Sequence, residues 1–72
     1  MDKVVIVMPA YNEAENMGPM ITELFEEVFP KITGVEMNLL IVDDFSPDKT
    51  GDIVKKYQGK YSNLYLLQKE RD

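Results

Sequence analysis

The sequence predicts an α/β fold with the element order β-α-β-α-β and a parallel sheet. An apolar run over residues 4–8 leads abruptly into the polar segment 9–13, and a second run over residues 39–42 leads into Asp43 and Asp44. One helix-length amphipathic stretch separates the runs, which is typical of two parallel strands joined by a crossover helix. Because parallel strands point their carboxyl ends the same way, both polar segments are expected on one rim, where open α/β sheets bind ligands.

The first strand is predicted over residues 3–8, because a continuous, largely β-branched apolar run fits a strand that is buried on both faces. Asn12 is expected to cap the following helix, with Glu15 completing a capping-box pattern. The helix itself is predicted to have a loose first turn over residues 13–17 and to be regular from about 19 to 29. The loose turn is expected because an interior proline disturbs the turn that precedes it.

The second half repeats the pattern with a shorter helix. Residues 36–42 are predicted to form a strand and residues 46–49 a turn, with proline preset for its second position. Thr50 is expected to cap a short helix, and residues 64–67 to form a third strand. With right-handed crossovers and strands added in one direction, both helices lie on the same face of the sheet. The first two strands are apolar on both faces, so the other face is expected to be bare, which marks an interface or a missing piece.

Composition and missing motifs exclude several classes of function. Thirteen acidic and eight basic residues give a net charge of −5, which argues against a nucleic-acid groove. Cysteine and histidine are absent, so thiolate and imidazole metal sites and a histidine general base are excluded. No glycine-rich phosphate-binding fingerprint or Gly-x-Ser-x-Gly elbow is present. No apolar stretch approaches the roughly 18 residues of a membrane span, so the chain is predicted to be cytoplasmic, or to lie at the cytoplasmic face of a membrane in a parent protein.

Two polar corners, residues 9–13 (the first corner) and residues 43–50 (the second corner), hold the candidate functional residues. Tyr11 offers a flat ring for packing near a planar base, and Glu13 offers a carboxylate for ribose hydroxyls. Asp43 and Asp44 face opposite ways from a strand, so one could accept a base N–H while the other anchors the loop. Purely structural roles in capping and turn formation stay open for both corners. A metal held by the aspartate pair alone is disfavoured, since Mg²⁺ usually also takes substrate phosphates.

The two corners together resemble a known family. Pro-Ala-Tyr-Asn-Glu-Ala-Glu-Asn at 9–16, followed by Ile-Val-Asp-Asp-Phe-Ser-Pro-Asp-Lys-Thr at 41–50, is similar to the N-terminal part of family 2 glycosyltransferases, particularly the dolichol- or polyprenol-phosphate mannosyltransferase-like branch. The resemblance implies that residues 1–72 are the nucleotide-binding portion of a single, apparently truncated GT-A domain, a Rossmann-like fold for nucleotide-diphosphate sugars. The family commonly has glycine at the positions of Phe45 and Lys49, and glycine adopts positive φ readily.

The resemblance also implies a site. Pro9, Tyr11 and Glu13 would line the base and ribose pocket, Ile41 would lie against the nucleotide, and Asp43 would hydrogen-bond the base. The sugar would pass to an acceptor, for which a polyprenyl phosphate is one candidate, with help from Mg²⁺ or Mn²⁺. The family's metal-binding Asp-x-Asp, catalytic carboxylate and acceptor-binding residues would lie past residue 72. The 72-residue piece alone is therefore predicted to be inactive.

Two interpretations from other functional classes stay open. The chain could be a non-catalytic nucleotide-binding or assembly module that pairs with a partner through its bare sheet face. It could also be a receiver-like signalling domain, because residues 41–44 resemble the acidic pocket of two-component receivers. A receiver needs a phosphoacceptor aspartate at the end of a later strand, and residues 66–69 contain none. The bare face is expected to be covered by the remainder of the GT-A domain or by self-association.

Overall fold

The computed structural model describes residues 1–69. The elements are β1 (Asp2–Ala10), α1 (Ala14–Glu23), a π-helical turn (Leu24–Val28), a 3-10 turn (Phe29–Lys31), β2 (Val35–Asp44), α2 (Thr50–Gln58) and β3 (Leu64–Lys69). The predicted order is confirmed, and each strand extends further than the sequence predicted. Across these 69 residues, no helix is both long and apolar enough to cross a bilayer.

The three strands form one parallel sheet in the order β1-β2-β3, as predicted. The register pairs Met8 with Ile41 and Ala10 with Asp43, so β1 and β2 end side by side. Pro9 lies in β1, which has a neighbour on one side only, and an edge strand tolerates a residue that has no backbone N–H. The two corners therefore leave the sheet at the same rim.

The hydrophobic core lies between the sheet and both helices, which pack on the same face. Its buried members come from all the main elements: Ala10, Met17, Ile21, Phe29, Leu39, Ile41, Val54 and Leu64. The opposite face is open, as expected, and two apolar side chains on it, Val7 and Leu67, are 59% and 53% exposed. One sheet thus has a packed side and an apolar side that faces solvent.

The first helix differs from the prediction at its start. The expected loose turn over residues 13–17 is regular helix, and Pro19 lies inside α1. Asn12 does not cap the helix and no capping box with Glu15 forms: the N-cap position belongs to Glu13, whose side chain makes no capping hydrogen bond to the helix backbone. Asn12 instead adopts a left-handed conformation with φ of 58°. The reason is that residues of the second corner supply the missing caps, as described below.

The end of this helical segment also departs from the predicted regular helix to residue 29. After Glu23 the backbone widens into the π-helical turn and then tightens into the 3-10 turn. This change of pitch accompanies an aromatic cluster. The ring of Phe25 stacks on that of Tyr61 at 4.4 Å between centroids, and it meets Phe29 edge-on at 5.0 Å. The prediction considered only helical periodicity, which does not include such contacts between aromatic rings of distant segments.

Candidate functional site

The two corners are joined by hydrogen bonds across the rim. Three consecutive backbone N–H groups at the start of α1 donate to side-chain oxygens of the second corner: Asn12 to Ser46 Oγ (2.9 Å), Glu13 to Thr50 Oγ1 (3.0 Å) and Ala14 to Asp48 Oδ2 (3.0 Å). The first N–H groups of a helix have no partner within it. The second corner provides partners for two of these groups, the N–H of the N-cap residue Glu13 and that of Ala14, the first residue of α1.

Two residues with positive φ shape these corners. Asn12 has φ of 58° and Phe45 has φ of 52°. Asparagine enters the left-handed region at little cost, whereas a bulky residue there is strained. Phe45 occupies a position where the family commonly has glycine, and the structure places it in the conformation that glycine favours. Lys49, the other such position, has a φ of −97° and needs no such freedom.

Asp43 anchors the second corner. Its Oδ1 accepts hydrogen bonds from the backbone N–H of Ser46 at 3.3 Å and from the Ser46 hydroxyl, and its Oδ2 accepts from the Gln68 amide at 3.4 Å. The side chain is only 3% exposed, whereas its neighbour Asp44 is exposed. Of the two roles considered for the pair, loop anchoring therefore belongs to Asp43. The contact of Asp43 with a base stays a prediction.

The other predicted site residues divide between the surface and the core. Tyr11 is 57% exposed, and Glu13 and Pro9 are also exposed. Ile41 is fully buried under the helices. The structure therefore presents the ring of Tyr11 and the carboxylate of Glu13 at the rim, with Ile41 in the core beneath it. The contacts of these residues with a nucleotide stay predictions.

A cavity of about 260 Å³ lies beside the first corner, along β1 and the start of α1. Its apolar part is formed by Met8, Met17 and Met20, and its polar part by Glu13 and Asn16, whose side chains are joined by a 3.3 Å hydrogen bond. Pro9 also lines it, but Tyr11, Ile41 and Asp43 do not. Of the predicted site residues, only Pro9 and Glu13 therefore line this cavity.

Sequence reasoning missed the capping residues Ser46, Asp48 and Thr50. Thr50 was expected to cap α2, but Lys49 takes the N-cap position, and Thr50 uses its hydroxyl to bond Asp48 and the N–H of Glu13. The polar pattern Ser-x-Asp-x-Thr was visible in the sequence. Its partners were not, because they lie 34 to 37 residues away in the chain.

Asp48 is held in its ionised form. The Thr50 hydroxyl is the main cause of a lowered pKa at this carboxyl; the backbone N–H groups of Ala14 and Thr50 act in the same direction and partial desolvation opposes them. A negative charge at the start of α1 also interacts favourably with the helix dipole. Within residues 1–69, acidic side chains form no group of three or more that could bind a metal ion.

The sequence profile of glycosyl transferase family 2 matches residues 5–72. The chain belongs to this family. Membership confirms the resemblance predicted from the two corners, and the parallel sheet agrees with the N-terminal half of a GT-A, Rossmann-like domain. It gives no support to the receiver-like interpretation.

Relatives within family 2 include enzymes that act on dolichol phosphates. The chain is 36% identical over 59 residues to a dolichol-phosphate mannosyltransferase of Pyrococcus furiosus, covering 82% of the chain and 16% of that protein. It is 33% identical to the glycosyltransferase AglE of Haloferax volcanii, covering 89% of the chain and 20% of that protein. It is also 33% identical to a dolichyl-phosphate beta-glucosyltransferase of Trichomonas vaginalis, with the same coverage of 89% and 20%. The chain thus spans about one fifth or less of the length of these relatives.

Proposed function

We propose that this chain is the nucleotide-binding portion of a glycosyltransferase that binds a nucleotide-diphosphate sugar and transfers the sugar to an acceptor. The observation that carries the proposal is the exposure of Tyr11 and Glu13 together on the rim where β1 and β2 end. This rim is where open α/β sheets bind their ligands. Membership of a glycosyltransferase family supports the same conclusion.

Each exposed side chain has a chemical role in this proposal. The ring of Tyr11 stacks on the base, since aromatic faces pack well on planar π-systems. The Glu13 carboxylate accepts hydrogen bonds from the ribose hydroxyls, and Pro9 and Ile41 shape the wall behind the nucleoside. Asp43 combines two roles, holding the loop and accepting a hydrogen bond from the base. Fixed contacts of this kind place the sugar for attack by the acceptor.

The acceptor is proposed from the names of relatives and the metal from the family. The names of two relatives, a dolichol-phosphate mannosyltransferase and a dolichyl-phosphate glucosyltransferase, support a polyprenyl phosphate as acceptor. Mg²⁺ or Mn²⁺, which the family implies, would help to balance the charge of the leaving diphosphate. The family's metal-binding Asp-x-Asp and its acceptor-binding residues are expected past residue 72, so the 72-residue piece is proposed to be inactive alone. We also propose a cytoplasmic location, or the cytoplasmic face of a membrane.

The open sheet face favours a second candidate, a non-catalytic nucleotide-binding or assembly module. Val7 in β1 and Leu67 in β3 leave more than half of their surfaces in water on that face, and a contiguous exposed apolar patch marks an interaction surface. In the glycosyltransferase proposal the remainder of the GT-A domain covers this face, and self-association is the alternative cover. Size-exclusion chromatography separates them, because a stable and specific oligomer of this chain would favour the assembly module.

Titration with a nucleotide tests the primary proposal. GDP and UDP, each with Mg²⁺, are titrated by calorimetry into the full chain, into Tyr11→Ala and into Tyr65→Ala. Tyr65 is a matched control, since it is 49% exposed but lies in β3 on the open face. Loss of base stacking at Tyr11 is expected to weaken binding by about fivefold or more, while Tyr65→Ala leaves it unchanged. Equal affinities for the two variants would remove Tyr11 from the site.

A further inference from the structure

The start of α1 is closed by the chain's own side chains. In many α/β nucleotide-binding folds, free N–H groups at the start of the first helix bind the pyrophosphate. Here the N–H groups of Asn12, Glu13 and Ala14 already donate to Ser46, Thr50 and Asp48. Asp48 places a carboxylate oxygen 3.0 Å from the N of Ala14. These three N–H groups are therefore committed to holding the two corners together.

The two hydroxyls act as parallel links between the corners. Ser46 Oγ donates to Asp43 and accepts from the N–H of Asn12. Thr50 Oγ1, which is fully buried, donates to Asp48 Oδ1 and accepts from the N–H of Glu13. A hydroxyl has one O–H to donate, and in each case a carboxylate oxygen accepts that hydrogen bond. The lone pairs of the hydroxyl oxygen are then free to accept a hydrogen bond from the backbone N–H.

Asp48 completes the connection by using both of its oxygens. Oδ2 accepts from the N–H of Ala14 at 3.0 Å, and Oδ1 accepts from the N–H of Thr50 at 3.0 Å as well as from its hydroxyl. An amide at this position has a single acceptor oxygen. Asp48→Asn would therefore place an amide N–H₂ group opposite another donor. Depending on the orientation of the amide, the substitution would remove the hydrogen bond with Ala14 or those with Thr50.

We propose that Ser46, Asp48 and Thr50 are positioning residues for the donor site, because they fix the backbone of Tyr11 and Glu13 relative to Asp43. The inference rests on the proposed function. Tyr11 and Glu13 are both exposed, so packing of their side chains does not fix them, and their placement follows from the backbone that carries them. Small errors in placement weaken contacts that depend on geometry.

The test compares two substitutions of one residue in the full chain. Thr50→Val keeps the shape of the side chain and removes the hydroxyl, whereas Thr50→Ser restores it. We expect Thr50→Val to weaken binding of GDP or UDP with Mg²⁺ by about fivefold or more. In the same variant, measured in the absence of nucleotide, hydrogen exchange at the backbone amides of residues 12–14 is expected to be faster than in the unaltered chain. Thr50→Ser should match the unaltered chain in both measurements.

A destabilising control separates positioning from general stability. Ile53 lies in the same helix and packs against the core, but it is outside the hydrogen bonds between the corners. Ile53→Ala, measured at a temperature where it is folded, should bind nucleotide as the unaltered chain does. If Thr50→Val does not fold, Ser46→Ala removes the other link at a less buried position and is expected to weaken binding in the same direction.

The outcomes distinguish this inference from the proposed function. If the unaltered chain binds nucleotide and Thr50→Val or Ser46→Ala binds it equally well, the positioning role is wrong and the donor site stands. An equal loss in Ile53→Ala also overturns the positioning role, since the effect is then one of stability. If the unaltered chain binds neither GDP nor UDP, the proposed function fails, and the positioning role fails with it.

Discussion

Over residues 39–42, the two sides of β2 have the same apolar character but different surroundings. Leu39 and Ile41 are fully buried beneath α1 and α2, whereas Leu40 and Val42, which alternate with them, are only partly buried on the open side. The difference arises because right-handed crossovers place both helices on one face. Apolar composition alone therefore does not make a core, since a covering layer must also be present.

The two aspartates at the end of the same strand also differ in their surroundings. Asp43 lies on the helix-covered side, where Ser46 and Gln68 donate to it, and Asp44 lies on the open side and is exposed. Two identical, adjacent residues thus have different roles. The covered side organises the second corner, while the open side contributes no anchoring of this kind.

The largest expected difference is between two adjacent leucines. Leu39→Ala removes a fully buried side chain and is expected to lower the free energy of unfolding by about 2–5 kcal/mol. Leu40→Ala is expected to cost about 1 kcal/mol or less, because the residue is already partly in water. Urea denaturation of both variants measures the difference. Equal losses would mean that the open face is buried in solution, as self-association would require.

The aspartate pair gives the next largest effect. Asp43→Ala leaves the donors of Ser46 and Gln68 without their acceptor and is expected to cost about 1–3 kcal/mol. Asp44→Ala is the matched control and is expected to stay within about 0.5 kcal/mol of the unaltered chain. Thermal unfolding at neutral pH compares the two. A similar cost at both positions would contradict the anchoring role of Asp43.

The pH dependence of stability tests the contact that Asp48 makes between the two corners. Its pKa is lowered in the folded chain, so its contribution to stability is fully present above the unfolded pKa of about 3.9 and is lost as the pH falls through the lower, folded pKa. Asp48→Asn should therefore be less stable at neutral pH and lose less stability on acidification below about pH 4. Asp52→Asn, an exposed carboxylate in the first turn of α2, is the control. Parallel acid-unfolding curves for Asp48→Asn and the unaltered chain would refute the prediction.

The smallest expected effect on stability belongs to the open face. Val7→Thr and Leu67→Thr replace half-exposed apolar side chains by polar ones and should each change the free energy of unfolding by about 0.5 kcal/mol or less. Light scattering coupled to size exclusion then reports association. If the open face pairs with a second copy, the two substitutions together should convert an oligomer to a monomer. A substantial loss of stability in a monomer would show that this side is packed within the chain.

The sequence by itself determined the architecture and the meeting of the two corners at one rim. Apolar runs that end at residues 8 and 42 and a helix-length spacer require two parallel strands, and the crossover rule then places both helices on one face. The same rules predicted the bare face and brought both corners to one rim. These features follow from hydrophobic periodicity and backbone chirality. Both depend on many residues along the chain, so a deviation at one residue does not change the predicted architecture.

Only the tertiary structure decided how the corners are held. Asn12 and Thr50 have good capping side chains, yet Asn12 turns left-handed and Thr50 bonds to the other corner. Capping depends on which acceptor the folded chain holds at the helix end, and here Asp48 comes from 34 residues further along the chain. Local propensities rank only the neighbouring candidates. The parallel sheet, by bringing two distant loops into contact, selected the partners that no local pattern specifies.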